Sequence, residues 1–206
     1  MVTIIDYDAG NIRSVENAFR LLGEEVSITR DAEEISNASR VVLPGVGAFG
    51  DAMNRLQSYG LTEVIRERAK SGRPFLGICL GLQLLFEESE ESPGVKGLSL
   101  LPGKIRRIPE GEDLKIPHIG WNDLSFPKES RLFRGLQKNP FVYFVHSYYL
   151  HSEDASIVAA QTTYGVTIDA AVEEGNLFAC QFHPEKSAEV GMQILKNFLS
   201  AEETSK

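Results

Sequence analysis

Residues 74–87 read Pro-Phe-Leu-Gly-Ile-Cys-Leu-Gly-Leu-Gln-Leu-Leu-Phe-Glu, and this stretch decides the fold. The apolar run at 74–78 predicts a buried strand, and the pattern from 80 to about 87 predicts a helix that follows without a loop. Their junction, residues 77–81, has the form G-x-C-x-G. A strand that passes directly into a helix is typical of a parallel sheet covered by helices.

The same alternation of strand and helix continues on both sides of this stretch. Toward the N-terminus we expect strands at 2–5, 26–29 and 40–43 and helices at 12–22, 51–59 and 61–71. Toward the C-terminus we expect strands at 104–108, 141–145, 157–162, 169–173 and 177–182, followed by a helix at 190–199. The later strands are joined by turns, so they should form an antiparallel extension or edge of the same sheet. The sequence therefore predicts one α/β domain over residues 1–206, a mostly parallel open sheet with helices on both faces and an antiparallel extension.

Composition excludes several classes of partner. The 206 residues are 42% hydrophobic and 24% charged, as in a globular domain. Lys and Arg total 21 against 29 Asp and Glu, a net charge of −8, which argues against a nucleic acid or an anionic membrane as partner. No signal peptide and no apolar run of membrane-spanning length is visible. Cys79 and Cys180 are far apart in sequence, so we expect free thiols in a reducing cytoplasm.

Cys79 has the setting of a nucleophile. A tight turn between strand and helix projects such a side chain from the sheet, and small neighbours let a substrate approach. The helix N-terminus would stabilise a thiolate, and the Leu80 N–H would be free to bind an oxyanion. Gln83 follows four residues later on the same helix face, suited to hydrogen bonding with a polar substrate. The alternatives are a cysteine packed between glycines and a glutamine facing solvent. Cys180, inside an apolar strand, should matter for stability only.

His183 is the best candidate for a general base. Pro184 favours an extended backbone at His183, which puts Glu185 on the same side as the imidazole and able to orient it. The alternative is a surface His–Glu pair. His118 and His146 lie in aromatic segments and could be structural or face the substrate. His151 precedes acidic residues and should be solvated, and no metal-binding histidine spacing occurs.

Residues 45–50 contain the pattern G-x-G-x-x-G, which is typical of dinucleotide-binding loops. Glu67 even lies about 20 residues beyond it, as that motif requires. The pattern follows the third strand rather than the first, however, and Pro44 fixes its entry. A better use for this glycine strand is to supply a second oxyanion donor beside Cys79.

Taken together, residues 77–83 and His183-Pro184-Glu185 resemble the class I, or triad, glutamine amidotransferases. Four further segments narrow the resemblance to the glutaminase subunits of imidazole glycerol phosphate synthases: 44–47, 117–122, 146–149 and 181–187. It extends from residues 6–11 to the last helix, so it covers nearly the whole chain. Two departures are small: Leu82 stands where methionine is common, and Asp8 where glycine is common.

The resemblance implies a flavodoxin-like fold and an enzyme without cofactor or metal. Cys79 would attack the side-chain amide of glutamine, His183 would shuttle the proton, and Glu185 would orient His183. The family's remaining roles fall on the oxyanion donors Leu80 and the Gly45–Val46 peptide, and on the glutamine-binding residues Gly47, Gln83, Ser147 and Tyr148. In this family the Gly-Val strand needs reorientation before its donor points correctly.

The resemblance also implies a heterodimer with a (β/α)8 barrel cyclase. The cyclase would use the ammonia to make imidazole glycerol phosphate and AICAR in histidine biosynthesis, and Trp121, Tyr143 and Lys186 would face it. Three alternatives stay open: a glutaminase subunit of another synthase, a stand-alone cysteine hydrolase of γ-glutamyl substrates, and a scaffold that only binds.

Overall fold

The computed structural model describes residues 1–111 and 114–203. Its helices are α1 (Ile12–Leu21), α2 (Ala32–Asn37), α3 (Phe49–Ser58), α4 (Thr62–Lys70), α5 (Leu80–Gln83) and α6 (Ala188–Leu199). Its first strands are β1 (Val2–Ile5), β2 (Val26–Thr29), β3 (Val41–Leu43), β4 (Phe75–Ile78), β5 (Glu88–Ser89) and β6 (Gly103–Arg107). The remaining strands are β7 (His118–Asp123), β8 (Phe141–His146), β9 (Tyr148–Ser152), β10 (Val158–Tyr164), β11 (Val166–Glu174) and β12 (Leu177–Cys180).

A seven-stranded sheet with the order β10-β11-β12-β4-β3-β1-β2 is the centre of the molecule. The five strands from β12 to β2 are parallel, and β10 and β11 continue the sheet antiparallel at one edge. The expected α/β fold, a mostly parallel sheet with an antiparallel extension, is confirmed. β12 differs from expectation because it pairs parallel with β4, and this pairing brings the ends of β4 and β12 side by side.

Helices cover both faces of the sheet because its strands are apolar on both sides. In β3, Val41 and Leu43 pack with α3 and α4, whereas Val42 points to the opposite face and packs with α1 and α6. All three side chains are fully buried. Continuous apolar strands of this kind are required when both faces of a parallel sheet are covered.

Two strands of the second half do not join the main sheet as expected. β6 pairs with β5 and β9 in a separate three-stranded sheet. β8 pairs with β7 in a two-stranded hairpin whose inner side packs near the carboxyl ends of the parallel strands. A period-two pattern predicts a strand but not its partner, which explains the error.

The helix after Cys79 is much shorter than expected, ending at Gln83 rather than near residue 87. Beyond it, the Leu84 and Leu85 carbonyl oxygens accept hydrogen bonds from the Leu98 and Leu100 N–H groups, so a crossing segment replaces the helical partners. The apolar run is buried on all sides, and such a run carries no helical periodicity.

Within the part of the chain that the structure describes, no helix has both the length and the apolar character needed to cross a bilayer.

Candidate active site

Cys79 lies on a sharp turn between β4 and α5. Its backbone has φ +54° and ψ −109°, a conformation that L-residues adopt at a cost of about 1–3 kcal/mol. Its N–H donates to the Cys180 carbonyl oxygen at 2.7 Å, so the end of β12 supports the turn. Gly81 allows the close packing, because a Cβ there would overlap the Leu43 carbonyl oxygen. Strained backbone of this kind is concentrated at functional sites.

His183 and Glu185 form a buried pair beside this turn. The His183 Nδ1 and Glu185 Oε1 atoms are 2.8 Å apart, and both side chains are fully buried. Asn11 donates from Nδ2 to the same carboxylate oxygen at 3.2 Å. The His183 Nε2 atom is also buried and has no hydrogen-bond partner among the described residues. A ring held at Nδ1 by a carboxylate and open at Nε2 is the arrangement of a general acid–base.

The pKa of His183 is set by opposing effects. Burial of the ring lowers it, but interactions with the Cys79 sulfur and the Glu185 carboxylate outweigh burial and raise the pKa to about 10. The imidazolium form is therefore favoured at neutral pH as long as those two groups face it. Sulfur and imidazole, 104 positions apart in the chain (183 − 79), interact at the carboxyl end of the parallel strands.

The Leu80 N–H, expected to be free for an oxyanion, is occupied. It donates to the Gly45 carbonyl oxygen at 3.3 Å. The preceding carbonyl, that of Pro44, accepts a hydrogen bond from the buried Tyr7 hydroxyl at 2.7 Å. Gly47, with φ +101°, has a backbone conformation that suits glycine, and such freedom permits a local rearrangement. The glycine strand thus lies against Cys79 with a carbonyl rather than an N–H pointing at Leu80.

A cavity of about 270 Å³ opens over Cys79. All four residues expected to bind glutamine line it, namely Gly47, Gln83, Ser147 and Tyr148. Of the expected oxyanion residues, Val46 and Leu80 line it as well. His146, left open as structural or substrate-facing, lines the cavity, as do Glu91 and Pro117, to which no substrate-binding role was assigned from the sequence. Glu91 has no signal in the sequence, because it lies outside any motif and comes to the cavity by accepting a hydrogen bond from the Phe49 N–H at the start of α3. A larger cleft lies elsewhere, near Arg131 and Glu173, away from this chemistry.

The three residues expected to face a partner lie together on the β7–β8 hairpin and next to it. Trp121 is opposite Tyr143 in the hairpin, with ring centroids 6.2 Å apart, and the Lys186 Nζ atom lies 6.0 Å from the Tyr143 ring centroid. Trp121 is 51% exposed and Phe141, on the same outer side, 57%. Large exposed apolar side chains in one place are typical of interaction surfaces.

Comparison with known proteins gives one family and one recurrent name. The family model for class I glutamine amidotransferases matches residues 3–201. The chain is 51% identical over 203 residues to the imidazole glycerol phosphate synthase subunit HisH of Syntrophotalea carbinolica, covering 96% of this chain and 98% of the relative. It is also 51% identical over 199 residues to the HisH subunit of Methanothermobacter thermautotrophicus, covering 97% and 98%.

Solved structures support the fold. A crystal structure described as a glutamine amidotransferase superposes with a TM-score of 0.75 at 21% identity and covers 97% of both chains. A chain from the structure of PurLQS of Thermotoga maritima superposes with a TM-score of 0.71 at 21% identity, covering 96% of both chains. At this level of identity the likeness concerns the fold alone.

Proposed function

The chain belongs to the class I glutamine amidotransferases, and from that membership we propose that it is the glutaminase subunit of an imidazole glycerol phosphate synthase. It hydrolyses L-glutamine to glutamate and ammonia and delivers the ammonia to a cyclase subunit in histidine biosynthesis. The observation that carries the proposal is the strained Cys79 turn beside the buried His183–Glu185 pair. The relatives named as such a subunit match nearly the whole chain.

The chemistry follows from these side chains. The Cys79 thiolate attacks the carbonyl carbon of the glutamine side-chain amide, and a tetrahedral intermediate forms. The His183 imidazolium gives its proton to the departing nitrogen, which leaves as ammonia, and a glutamyl thioester remains. His183 then takes a proton from water as the water attacks the thioester, and glutamate leaves with the thiolate restored. Glu185 holds the ring in one tautomer throughout.

The oxyanion donors require one local movement. The Gly45 carbonyl and the Val46 N–H belong to the same peptide group. Rotation of that peptide would withdraw the oxygen from the Leu80 N–H and turn the Val46 N–H toward the nucleophile. A single rotation would therefore create two donors where negative charge develops.

The cavity fits free glutamine in size and charge. A volume of about 270 Å³ accommodates an amino acid of this length. Glu91 offers a carboxylate to the α-ammonium group, and Gln83 and the backbone at Ser147 and Tyr148 offer polar contacts. Gly47 lets the backbone approach the ligand closely. We assign substrate binding to these five residues.

The outer side of the β7–β8 hairpin is the proposed contact with the barrel cyclase. Trp121, Tyr143 and Lys186 present an apolar and cationic surface there. The same hairpin reaches the triad, because the His183 N–H donates to the Tyr143 carbonyl oxygen at 2.9 Å. Ser187 joins both, donating to the His183 carbonyl oxygen and accepting from the Tyr143 N–H at 2.9 Å. Docking would therefore act on β8, the strand that is hydrogen-bonded to the backbone of His183.

Both cysteines are free thiols, which suits a cytoplasmic enzyme.

Replacement of the nucleophile tests the proposal. With the barrel cyclase and its phosphoribosyl aminoimidazole carboxamide substrate present, Cys79→Ala should abolish synthesis from glutamine and leave synthesis from added ammonia intact. Formation of imidazole glycerol phosphate and AICAR measures both. Glutamine-dependent synthesis by Cys79→Ala would contradict the mechanism. Copurification with an anthranilate, GMP or carbamoyl phosphate synthase would contradict the choice of partner, and strong glutamine turnover without any partner would favour a stand-alone hydrolase.

A further inference from the structure

Gln181 lies directly beside the nucleophile, in a position that the triad mechanism does not use. It follows β12, and its backbone N–H donates to the Ala170 carbonyl oxygen at 2.8 Å. The preceding carbonyl, that of Cys180, holds the Cys79 N–H. The side chain is fully buried, and its Nε2 atom lies 3.7 Å from the Cys79 Sγ atom, within hydrogen-bonding distance of a sulfur.

The orientation of the Gln181 amide follows from its neighbours. The Tyr148 carbonyl oxygen can only accept, so the Gln83 side-chain atom 3.1 Å from it must be the NH₂ group. The same Gln83 NH₂ group lies 3.1 Å from the other end of the Gln181 amide, which must therefore be the oxygen. Gln181 is left with its NH₂ group toward the sulfur. The sequence of donors and acceptors therefore fixes the orientation of both side-chain amides from the hydrogen-bond network alone.

Two histidines, His146 and His118, continue this series of hydrogen bonds toward the β7–β8 hairpin. His146 Nδ1 lies 2.9 Å from the Tyr148 carbonyl oxygen, so Nδ1 carries the hydrogen. Burial lowers the pKa of His146 to about 3, so the ring is neutral and its Nε2 accepts from His118 Nδ1 at 3.1 Å. The side chains of His118, His146, Gln83 and Gln181 and the Tyr148 carbonyl thereby form one continuous series of hydrogen bonds that ends at Cys79. Rotation of the Gln181 amide would leave buried groups unpaired, which is costly.

Cys79 needs such a donor because its helix is short. α5 has four residues, so few peptide dipoles are aligned behind the sulfur. An amide N–H provides a fixed hydrogen that does not titrate, unlike the His183 proton, which moves during the reaction. The thiolate carries charge before attack and regains it when the thioester is hydrolysed. A donor at the sulfur favours the charged form at both stages.

We propose that Gln181 is a further catalytic residue, whose side-chain amide donates a hydrogen bond to the Cys79 sulfur and stabilises the thiolate, with Gln83 holding the amide in that orientation. The inference rests on the proposed glutaminase function and deepens it. Gln83 then acts twice, through its NH₂ group on Gln181 and through its place in the cavity wall.

The other titratable groups facing the sulfur are His183, Tyr7 and Cys180, with Glu91, His146 and Tyr148 in the cavity wall. Burial raises the pKa of the Tyr7 hydroxyl and of the Cys180 thiol, so both stay neutral in the neutral range. His146 is already deprotonated there. A change in the pH profile of Cys79 between variants with the same His183 therefore reports on Gln181.

The test is the rate at which iodoacetamide alkylates Cys79, measured against pH on the full-length chain by mass spectrometry of the Cys79 peptide. Gln181→Met removes the donor and keeps the side-chain volume. We expect the midpoint of its profile to rise by about one pH unit and glutamine turnover at neutral pH to fall about tenfold with little change in KM. Gln193→Met is the matched control, since that half-buried glutamine bonds Asn197 in α6 and should leave the profile unchanged.

An unchanged midpoint in Gln181→Met would overturn the proposal. If that variant does not fold, Gln83→Met decides, because it releases the Gln181 oxygen and should raise the midpoint by a smaller amount; no rise would again overturn the proposal. Alkylation requires neither glutamine nor the cyclase. Failure of the glutaminase function would show separately, as absence of glutamine turnover by the unmodified chain with its partner.

Discussion

Leu80 donates its backbone N–H to the Gly45 carbonyl oxygen, with 3.3 Å between the nitrogen and the oxygen. The donor nearest the nucleophile is thus satisfied by the chain itself. Gly45 has little room to move aside, because a Cβ there would overlap the Tyr7 hydroxyl and crowd the Leu80 Cβ. Rotation of the Gly45–Val46 peptide is the movement that frees the Leu80 N–H.

The chain alone should therefore be a poor glutaminase. Because each oxyanion donor contributes about 10²–10³ in rate, we expect hydrolysis at least about 100-fold slower without the cyclase and its ligand than with both. Initial rates of glutamate formation by the chain alone, with the cyclase, and with cyclase and ligand measure this. Cys79→Ala supplies the background. Equal rates in the three conditions would show that the Leu80–Gly45 bond does not limit the reaction.

Replacing Glu185 with glutamine should leave the fold intact and damage the chemistry. The amide occupies the same space, but it no longer balances a positive charge on His183, whose Nδ1 atom lies 2.8 Å from Oε1. The pKa of His183, raised in part by this carboxylate, should fall. By comparison with other triads, we expect kcat to drop about 10²–10⁴-fold. Steady-state kinetics with unchanged thermal unfolding would agree, and a loss below tenfold would argue against an orienting role.

The sequence predicted the parallel core because its signals are local. Residues 41–43 and 75–78 are short apolar runs between helical patterns, and such runs have few alternatives. The Cys79 turn was predictable for the same reason, since its glycines, its strand and its position lie within eight residues. The pairing of His183 with Glu185 was predicted from their separation by two positions and from the proline between them.

Other features depend on contacts between distant segments, and no local pattern carries them. α5 ends at Gln83 because residues 97–101 take the carbonyl partners that a longer helix would use. α2 was missed although Asp31 caps it by accepting from the Glu33 and Glu34 N–H groups at 2.9 Å, a signal visible in the sequence. Gln181 stood inside a quoted motif, but its donation to Cys79 requires Gln83 and Tyr148 to orient it.

Cys180 should prove structural. Its side chain is fully buried in β12, its sulfur donates weakly to the Phe182 carbonyl oxygen at 3.5 Å, and burial raises its pKa, so it remains a thiol. Cys180→Ala should lower the free energy of unfolding by about 1–2 kcal/mol and leave kcat for glutamine within about twofold. Chemical denaturation and glutaminase assays measure the two effects. Loss of activity in a stably folded Cys180→Ala would assign this thiol a part in the reaction.

Arg68 should be a large contributor to stability despite lacking a carboxylate partner among the described residues. The side chain is 2% exposed, and its guanidinium donates to five oxygens at the ends of three segments: Ala38, Ser39, Ser71, Arg73 and Pro74. Arg68→Met would leave these acceptors unpaired and should cost about 3 kcal/mol or more. Lys70→Met, exposed on the same helix, should change the free energy of unfolding by less than about 0.5 kcal/mol. Similar values for the two variants in urea unfolding would contradict this.

Two buried histidines should make the fold sensitive to mild acid. Burial lowers the pKa of His118 to about 4 and that of His146 to about 3, from 6.5 in the unfolded chain. The unfolded state therefore binds more protons below pH 6.5, and stability falls as pH drops toward 4, by up to about 1.4 kcal/mol per pH unit and per histidine. His183 acts oppositely: its raised pKa, about 10, gives stability that is complete below 6.5 and lost as pH rises through 10, so it adds no slope in acid.

The contribution of His118 can be isolated by replacing its ring. The His118 ring is stacked between those of Phe144 and Tyr164, with ring centroids 4.8 and 3.9 Å away. His118→Phe therefore keeps an aromatic ring in this place and removes the titratable imidazole. The variant is less stable at neutral pH, because His146 Nε2 loses its donor. Between about pH 7 and pH 5, however, it should lose about 2 kcal/mol less than the unmodified chain. Comparing how the free energy of unfolding changes with pH, rather than its absolute value, cancels the contribution of carboxylates such as Glu88, which titrate in acid in both proteins. Identical slopes from urea unfolding at the two pH values would mean that His118 is protonated in the folded state.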